Sequence, residues 1–264
     1  MKIICRSLSC VLAFFFTVAV SHASYENGLI GIGFDRTRVV YHEKSGFKGT
    51  AVTFENHSDN VFLLQSFIIA PNDLVLSPSA LENIDTKKMP FFVAPPLARL
   101  EANSHHILRL VKKKSELPND RESVFLLVAR VIPNTPKSQR VSEQNEMVFT
   151  ISIILKIFYR PAALPEKGLS SISEKLSFSS EKGKLIVNNP SPFYLTLAGI
   201  EVGGKMWGEE AQKERHWMVP PRSQMKYSLP DNMDGSVKIR FLDENGIPMP
   251  WIKTNVHCSE SCLL

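Results

Sequence analysis

The chain has 264 residues, 22% of them charged, with a formal net charge of +5 at pH 7. That length suits one large or two ordinary domains, and so mild a positive charge excludes an electrostatic case for nucleic acid as the partner.

Lys2 and Arg6 form a positive n-region, residues 11–20 are largely apolar, and Ser21-His22-Ala23 supplies small residues for cleavage. This is the pattern of a secretory signal over residues 1–23, with Ser24 as the first mature residue. The rival, an uncleaved anchor, meets a difficulty, because about ten apolar residues are too few to span a bilayer. Cleavage leaves 241 residues (264 less 23) and a charge of +3, since Lys2 and Arg6 go and no acid goes with them.

The mature chain reads as strands divided by turn signals. Strand-like runs cover residues 29–40, 50–54, 61–70, 90–93, 97–100, 106–111 and 123–132, the last apolar on both faces as a central strand is. A polar loop, 133–146, leads into N-E-M-V-F-T-I-S-I-I-L-K-I-F-Y-R-P-A-A, residues 145–163, a long strand-former with one lysine in its second half. Two prolines and a glycine in residues 160–168 mark a linker. Runs then resume at 184–188, 194–202, 225–229, 237–242 and 251–256, punctuated by Asn189-Pro190-Ser191-Pro192 and Pro220-Pro221. Few windows carry helical periodicity. About seven strands in the first part and five or six in the second predict an all-β chain of two sandwiches. The predicted limits are 24–159, a linker at 160–168, and 169–264. No internal repeat stands out.

Cleavage would leave two cysteines, Cys258 and Cys262. In an exported chain so close a pair reads as a disulfide. A metal site is disfavoured because only His257 lies beside them. The small loop so closed is worth about 2 kcal/mol. There is no G-x-S-x-G, H-E-x-x-H, P-loop or G-x-G-x-x-G, so neither enzyme nor cofactor is expected. His105 and His106 are adjacent and would face opposite sides of a strand, which argues against a shared metal. Lys112-Lys113-Lys114 reads as a solvated strand end.

Five motifs stand in order: F-D-R-T-R-V-V-Y (34–41), A-P-P-L-A-R-L-E (94–101), D-R-E-S-V-F (120–125), K-I-F-Y-R-P-A-A (156–163) and N-P-S-P-F-Y (189–194). In this order they resemble the periplasmic pilus-assembly chaperones of the chaperone–usher pathway. The resemblance implies two immunoglobulin-like sandwiches with a cleft between them. It also implies a location in the Gram-negative periplasm, fimbrial subunits lacking their last strand as clients, and an outer-membrane usher as recipient. The lent strand would be residues 146–159, with Met147, Phe149, Ile151 and Ile153 filling the subunit groove. Read from alternation alone, the same side chains face this protein's own core. Arg38 and Lys156 match the pair that binds the subunit's C-terminal carboxylate, to which both donate charge-assisted hydrogen bonds. Lys156 is even-numbered and the groove residues odd, so the resemblance predicts a bulge between them or different uses of the two parts. Glu122, Arg160 and Asp243 match a charge network linking the domains, and Pro95 matches a cis proline. The loop 133–146 is longer than in short-loop members yet lacks the cysteine pair of many long-loop ones, which leaves the subclass open. An apolar edge of this kind also fits self-association of the free protein. The alternative from another class is a secreted immunoglobulin-like adhesion module that binds through its loops.

Overall fold

The computed structural model describes residues 31–71, 88–133, 150–166, 168–169, 172–181, 183–207, 218–229 and 235–258. The predicted signal, Met147, Phe149 and Cys262 lie outside these residues, as does the side chain of Cys258.

In the first half the strands are β1 (Ile32–Phe34), β2 (Arg38–His42), β3 (Thr50–Asn56), β4 (Phe62–Ile69), β5 (Phe91–Ala94), β6 (Leu97–Leu100), β7 (Ser104–Lys112), β8 (Ser123–Pro133) and β9 (Ile151–Arg160). The single strand predicted over 29–40 is in fact two. β1 pairs antiparallel with β3, whereas β2 crosses to the other sheet and runs parallel to β9. The break falls at Asp35, whose N–H still donates to the Thr53 carbonyl at 3.1 Å. A four-stranded sheet, β1-β3-β7-β5, packs on a five-stranded one, β2-β9-β8-β4-β6.

β8 is central, as its two apolar faces predicted. Leu127, Ala129 and Val131 enter the core between the sheets, while Leu126 and Val128 join Ile69 in a smaller cluster on the outer face. Phe91 anchors the core, with ring centroids 5.0 Å from Tyr41 and 5.2 Å from Phe125. Each such side chain contributes about 1.5–3 kcal/mol on burial. The Ala94–Pro95 peptide bond is cis.

The second half carries β10 (Ser177–Glu181), β11 (Lys184–Asn189), β12 (Leu195–Val202), β13 (Lys205–Trp207), β14 (Met218–Val219), β15 (Ser223–Ser228), β16 (Gly235–Leu242) and β17 (Ile252–Cys258). The sheet β10-β11-β15 faces β13-β12-β16-β17, with β14 also on β12. Leu185, Val187, Leu195, Ile200, Val237, Ile239 and Phe241 form a separate core.

The sandwiches share one corner that sequence reading missed. β3 ends at Asn56 and β11 at Asn189, both fully buried. Each opens an Asn-x-Ser triplet. Asn56 Nδ2 donates to the Asn60 and Glu101 carbonyls, and its Oδ1 accepts from the Ser58 N–H and hydroxyl. Asn189 Nδ2 donates to the Phe193 and Pro220 carbonyls at 2.8 and 2.9 Å, and its Oδ1 accepts from the Ser191 N–H and hydroxyl. The amide replaces main-chain partners where the strand leaves its ladder. Asn189→Ala strands several buried groups, at about 1–3 kcal/mol for each left dry. Urea unfolding should show a loss of about 3 kcal/mol; a loss below about 1 kcal/mol would mean that water or a shift of the loop replaces the amide.

Candidate functional site

The parallel pairing of β2 with β9 sets Arg38 opposite Lys156. Both project from the outer face of the five-stranded sheet, where Phe158 follows on the same face. Arg38 is 5% exposed, and its guanidinium carbon stands 5.3 Å from the Phe158 ring centroid. Its Nη1 donates to the Asp243 carbonyl at 3.1 Å, while its buried Nε has no partner. Among the described residues neither cation makes an ion pair. Burial therefore pushes both downward: Arg38 drops below its usual value, and Lys156 falls to about 8, with the Arg38 charge adding to its desolvation. Arg38, His42, Glu166 and Glu244 line a neighbouring cavity of about 510 Å3.

Two positive groups are thus held side by side, largely out of water, with no carboxylate of the described residues in contact. An incoming carboxylate would satisfy the Arg38 Nε and raise Lys156 back toward its ordinary value.

The strand leading to this pair has an open side. β9 pairs with β8 from Ile151 to Tyr159 without a register shift. On its other side β2 covers only Lys156 to Arg160. Among the described residues no strand pairs with Ile151 to Leu155 on that side. The bulge considered from the sequence is absent from this stretch. Odd-numbered side chains face the first core: Leu155, Ile157 and Tyr159 lie within it, Ile153 packs against it half-buried, and Ile151 is 37% exposed at its rim. Even-numbered Ile154, Lys156 and Phe158 face outward. Of the predicted groove residues, Ile151 and Ile153 therefore lie on the face of one regular strand opposite the cations.

Arg160, 1% exposed, closes the cleft. Its Nε donates to Glu122 Oε1 at 2.9 Å, with Nη2 in ion-pair contact with the same oxygen at 2.8 Å, and Nη1 donates to Glu244 Oε1 at 3.1 Å and to the Glu166 carbonyl. The Phe193 ring lies 4.8 Å from its guanidinium carbon. Glu122 Oε2 accepts the Tyr194 N–H at 2.9 Å. Burial nonetheless pushes Glu122 above the usual carboxylate range, outweighing Arg160 and that N–H.

The third predicted member is corrected: Glu244, not Asp243, meets Arg160. The Asp243 carboxylate is satisfied locally by the N–H groups of Asn245 and Ile247, both at 2.8 Å. It organises the turn closed by the Gly246 N–H to the Asp243 carbonyl at 3.1 Å. Gly246 has φ +84°, and a Cβ there would collide with the Thr37 hydroxyl, so glycine lets the turn reach Arg38. Glu244 Oε1 also accepts the Gly168 and Leu169 N–H groups at 3.1 and 3.5 Å. The D-E-N-G sequence carried this signal, since Asp opening a turn bonds its own backbone two residues on and leaves the next acid free. Sequence reading also missed Tyr194, whose ring stands 6.0 Å from Phe158, and the ion pair from Arg222 to Asp120 at 2.6 Å across the two sandwiches.

Residues 31–165 match the family described as pili and flagellar-assembly chaperone, PapD N-terminal domain, and residues 171–251 the one described as pili assembly chaperone PapD, C-terminal domain. The chain is 33% identical to the chaperone protein PmfD of Proteus mirabilis, over 82% of this chain and 80% of that one. It is 30% identical to the probable fimbrial chaperone SfmC of Escherichia coli, over 92% and 95%. Among solved structures, the Salmonella enterica SafB chaperone in complex with the SafA pilin is similar at 26% identity, with a TM-score of 0.68 over 85% of this chain and 96% of that one.

Proposed function

The chain belongs to the PapD family of pilus-assembly chaperones, and from that premise we propose how its cleft holds a fimbrial subunit. The client is an immunoglobulin-like subunit short of one strand. Its last strand lies along the open side of β9 beside Ile151 to Leu155. Its C-terminal carboxylate ends on Arg38 and Lys156. The observation that carries this reading is that, among the described residues, the unpaired stretch of β9 runs straight into two buried cations that make no ion pair. The pairing of β2 also supports a direction. β2 runs parallel to β9 and begins at Arg38. A client strand in line with β2 can end beside Arg38 only if it too runs parallel to β9.

The odd face of β9 then enters the client's groove as an extension of the first core. Ile151 and Ile153 are its described members, and Met147 and Phe149 precede them. Buried apolar side chains at about 1.5–3 kcal/mol each and main-chain bonds at about 0.5–1.5 kcal/mol each offset the entropy lost on association. Glu122, Arg160 and Glu244 act as the structural joint behind the anchor. Residues 24–159 make the client-binding domain, 160–168 the joint and 169–264 the second domain. Export to the periplasm, delivery to an outer-membrane usher and the Cys258–Cys262 disulfide complete the reading.

The test is a short strand-forming peptide offered with a free C-terminal carboxylate or as the amide, followed by fluorescence anisotropy. The free acid should bind at least about tenfold more tightly, the value of one charge-assisted bond. The pH profile has a definite sign. Lys156 in the free protein titrates near 8, and the bound carboxylate holds it charged. Affinity should be flat below about pH 8 and fall above it, by at most about tenfold per pH unit. Lys156→Arg should remove that fall. Equal binding of acid and amide at pH 7 would sink the carboxylate anchor.

A further inference from the structure

The outward face of β9 is not used by the groove-filling side chains, yet it is apolar where it leaves the cleft. In register, Ile154 stands beside Val128, and Val128 beside Phe67 of β4. Val128 is buried, Phe67 is half-buried and Ile154 is 37% exposed. The next row toward the open end is polar, with Ser152 beside Arg130, whose guanidinium carbon lies 5.5 Å from the Phe67 ring centroid. The row on the other side is Lys156, Leu126 and Ile69. Farther along the same face Phe158 is covered by Tyr194 of the second sandwich. Among the described residues the cover stops short of Ile154, which stands at the unpaired edge of the strand.

We propose that Ile154, with Val128 beneath it and Phe67 and Arg130 behind, forms a second docking pad that takes an apolar side chain from the outward face of the same client strand. This rests on the client-binding reading above. Continuity with that interface identifies the occupant. Register partners in a sheet share a face, so a client strand beside Ile151 to Leu155 must place alternate side chains next to Ser152 and Ile154. The client is thereby read on both faces of its last strand, toward the groove and away from it. A charged residue beside Ile154 would be disfavoured by the desolvation of Val128's surroundings, and an apolar one favoured.

The experiment uses the mature protein and two synthetic strand peptides with free C-termini. One carries valine at the positions facing Ser152 and Ile154, and the other carries serine there. Ile154→Ser should weaken the valine peptide roughly fivefold, as expected for losing about half an isoleucine's burial, and leave the serine peptide unchanged. Retained binding of the serine peptide shows that the variant is folded. Arg38→Ala is measured in parallel and should weaken both peptides. If Arg38→Ala weakens both while Ile154→Ser affects them equally or not at all, the pad is refuted and the anchor stands. If Arg38→Ala changes neither, the client-binding reading fails and the pad with it. Sedimentation of the free protein supplies the last outcome. If Ile154→Ser only dissociates a dimer, the face joins copies of this chain, and the proposal is overturned.

Discussion

Arg38→Ala is expected to abolish recovery of a co-expressed fimbrial subunit while leaving the free protein folded. The guanidinium is buried, rests on Phe158, and donates one hydrogen bond, to the Asp243 carbonyl. Its Nε is dry and unpartnered, and no carboxylate pairs with it among the described residues. The free protein therefore gains little from this side chain. Desolvating it opposes folding, and the one hydrogen bond and the ring contact return about 1–2 kcal/mol. The stability change on truncation should stay within about 1 kcal/mol. Client binding is different. In the proposed anchor a carboxylate shared with Lys156 loses its planar donor, and a charge-assisted bond in a partly dry site contributes about 1.5–3 kcal/mol. Loss of the terminal pin also frees the strand to slip in register. The expected result is a Kd roughly 10- to 150-fold weaker, seen as degraded subunit, with an unchanged thermal midpoint for the free variant. A variant that unfolds would show Arg38 to be structural, and one that still protects its client would remove it from the anchor.

Glu122→Ala is expected to have the largest effect on stability. It leaves Arg160, 1% exposed, without the carboxylate that accepts its Nε–H and pairs with its Nη2. It also strands the Tyr194 N–H. Removing one partner of a buried pair costs about 3–5 kcal/mol. Glu244→Ala should cost less, about 1–2 kcal/mol, because the Glu244 side chain is 25% exposed and water can reach its partners. Asp243→Ala should leave Arg160 untouched and lose only a turn cap, about 1 kcal/mol. Guanidinium unfolding of the three variants gives the order. If Asp243→Ala proved costlier than Glu244→Ala, the assignment of the joint to Glu244 would be wrong.

Much of this architecture was legible in the sequence because the signals are local. Strand alternation, the doubly apolar run at 123–132 and the prolines after Arg160 each act within a few residues. The roles of Arg38, Lys156, Glu122 and Arg160 came from the resemblance to pilus-assembly chaperones that the five ordered motifs carry. What escaped depends on partners distant in sequence. Asp243 and Glu244 are adjacent acids, and only the turn at Gly246 decides which one is left to reach Arg160. The division of 29–40 between two sheets depends on β3 and β9, neither of which is adjacent. The two faces of β9 have the same apolar character around Ile153 and Ile154, so composition alone does not say which one meets the core. The matching corners at Asn56 and Asn189 share only an Asn-x-Ser triplet, too short to stand out as a repeat.

The way Glu244 is bonded has a mechanical corollary. One carboxylate oxygen grips Arg160 and, at once, two amides of the chain connecting the halves. A swing at that elbow would stretch an ionic contact and two amide bonds together, at a cost of about 1–2 kcal/mol where water reaches the carboxylate.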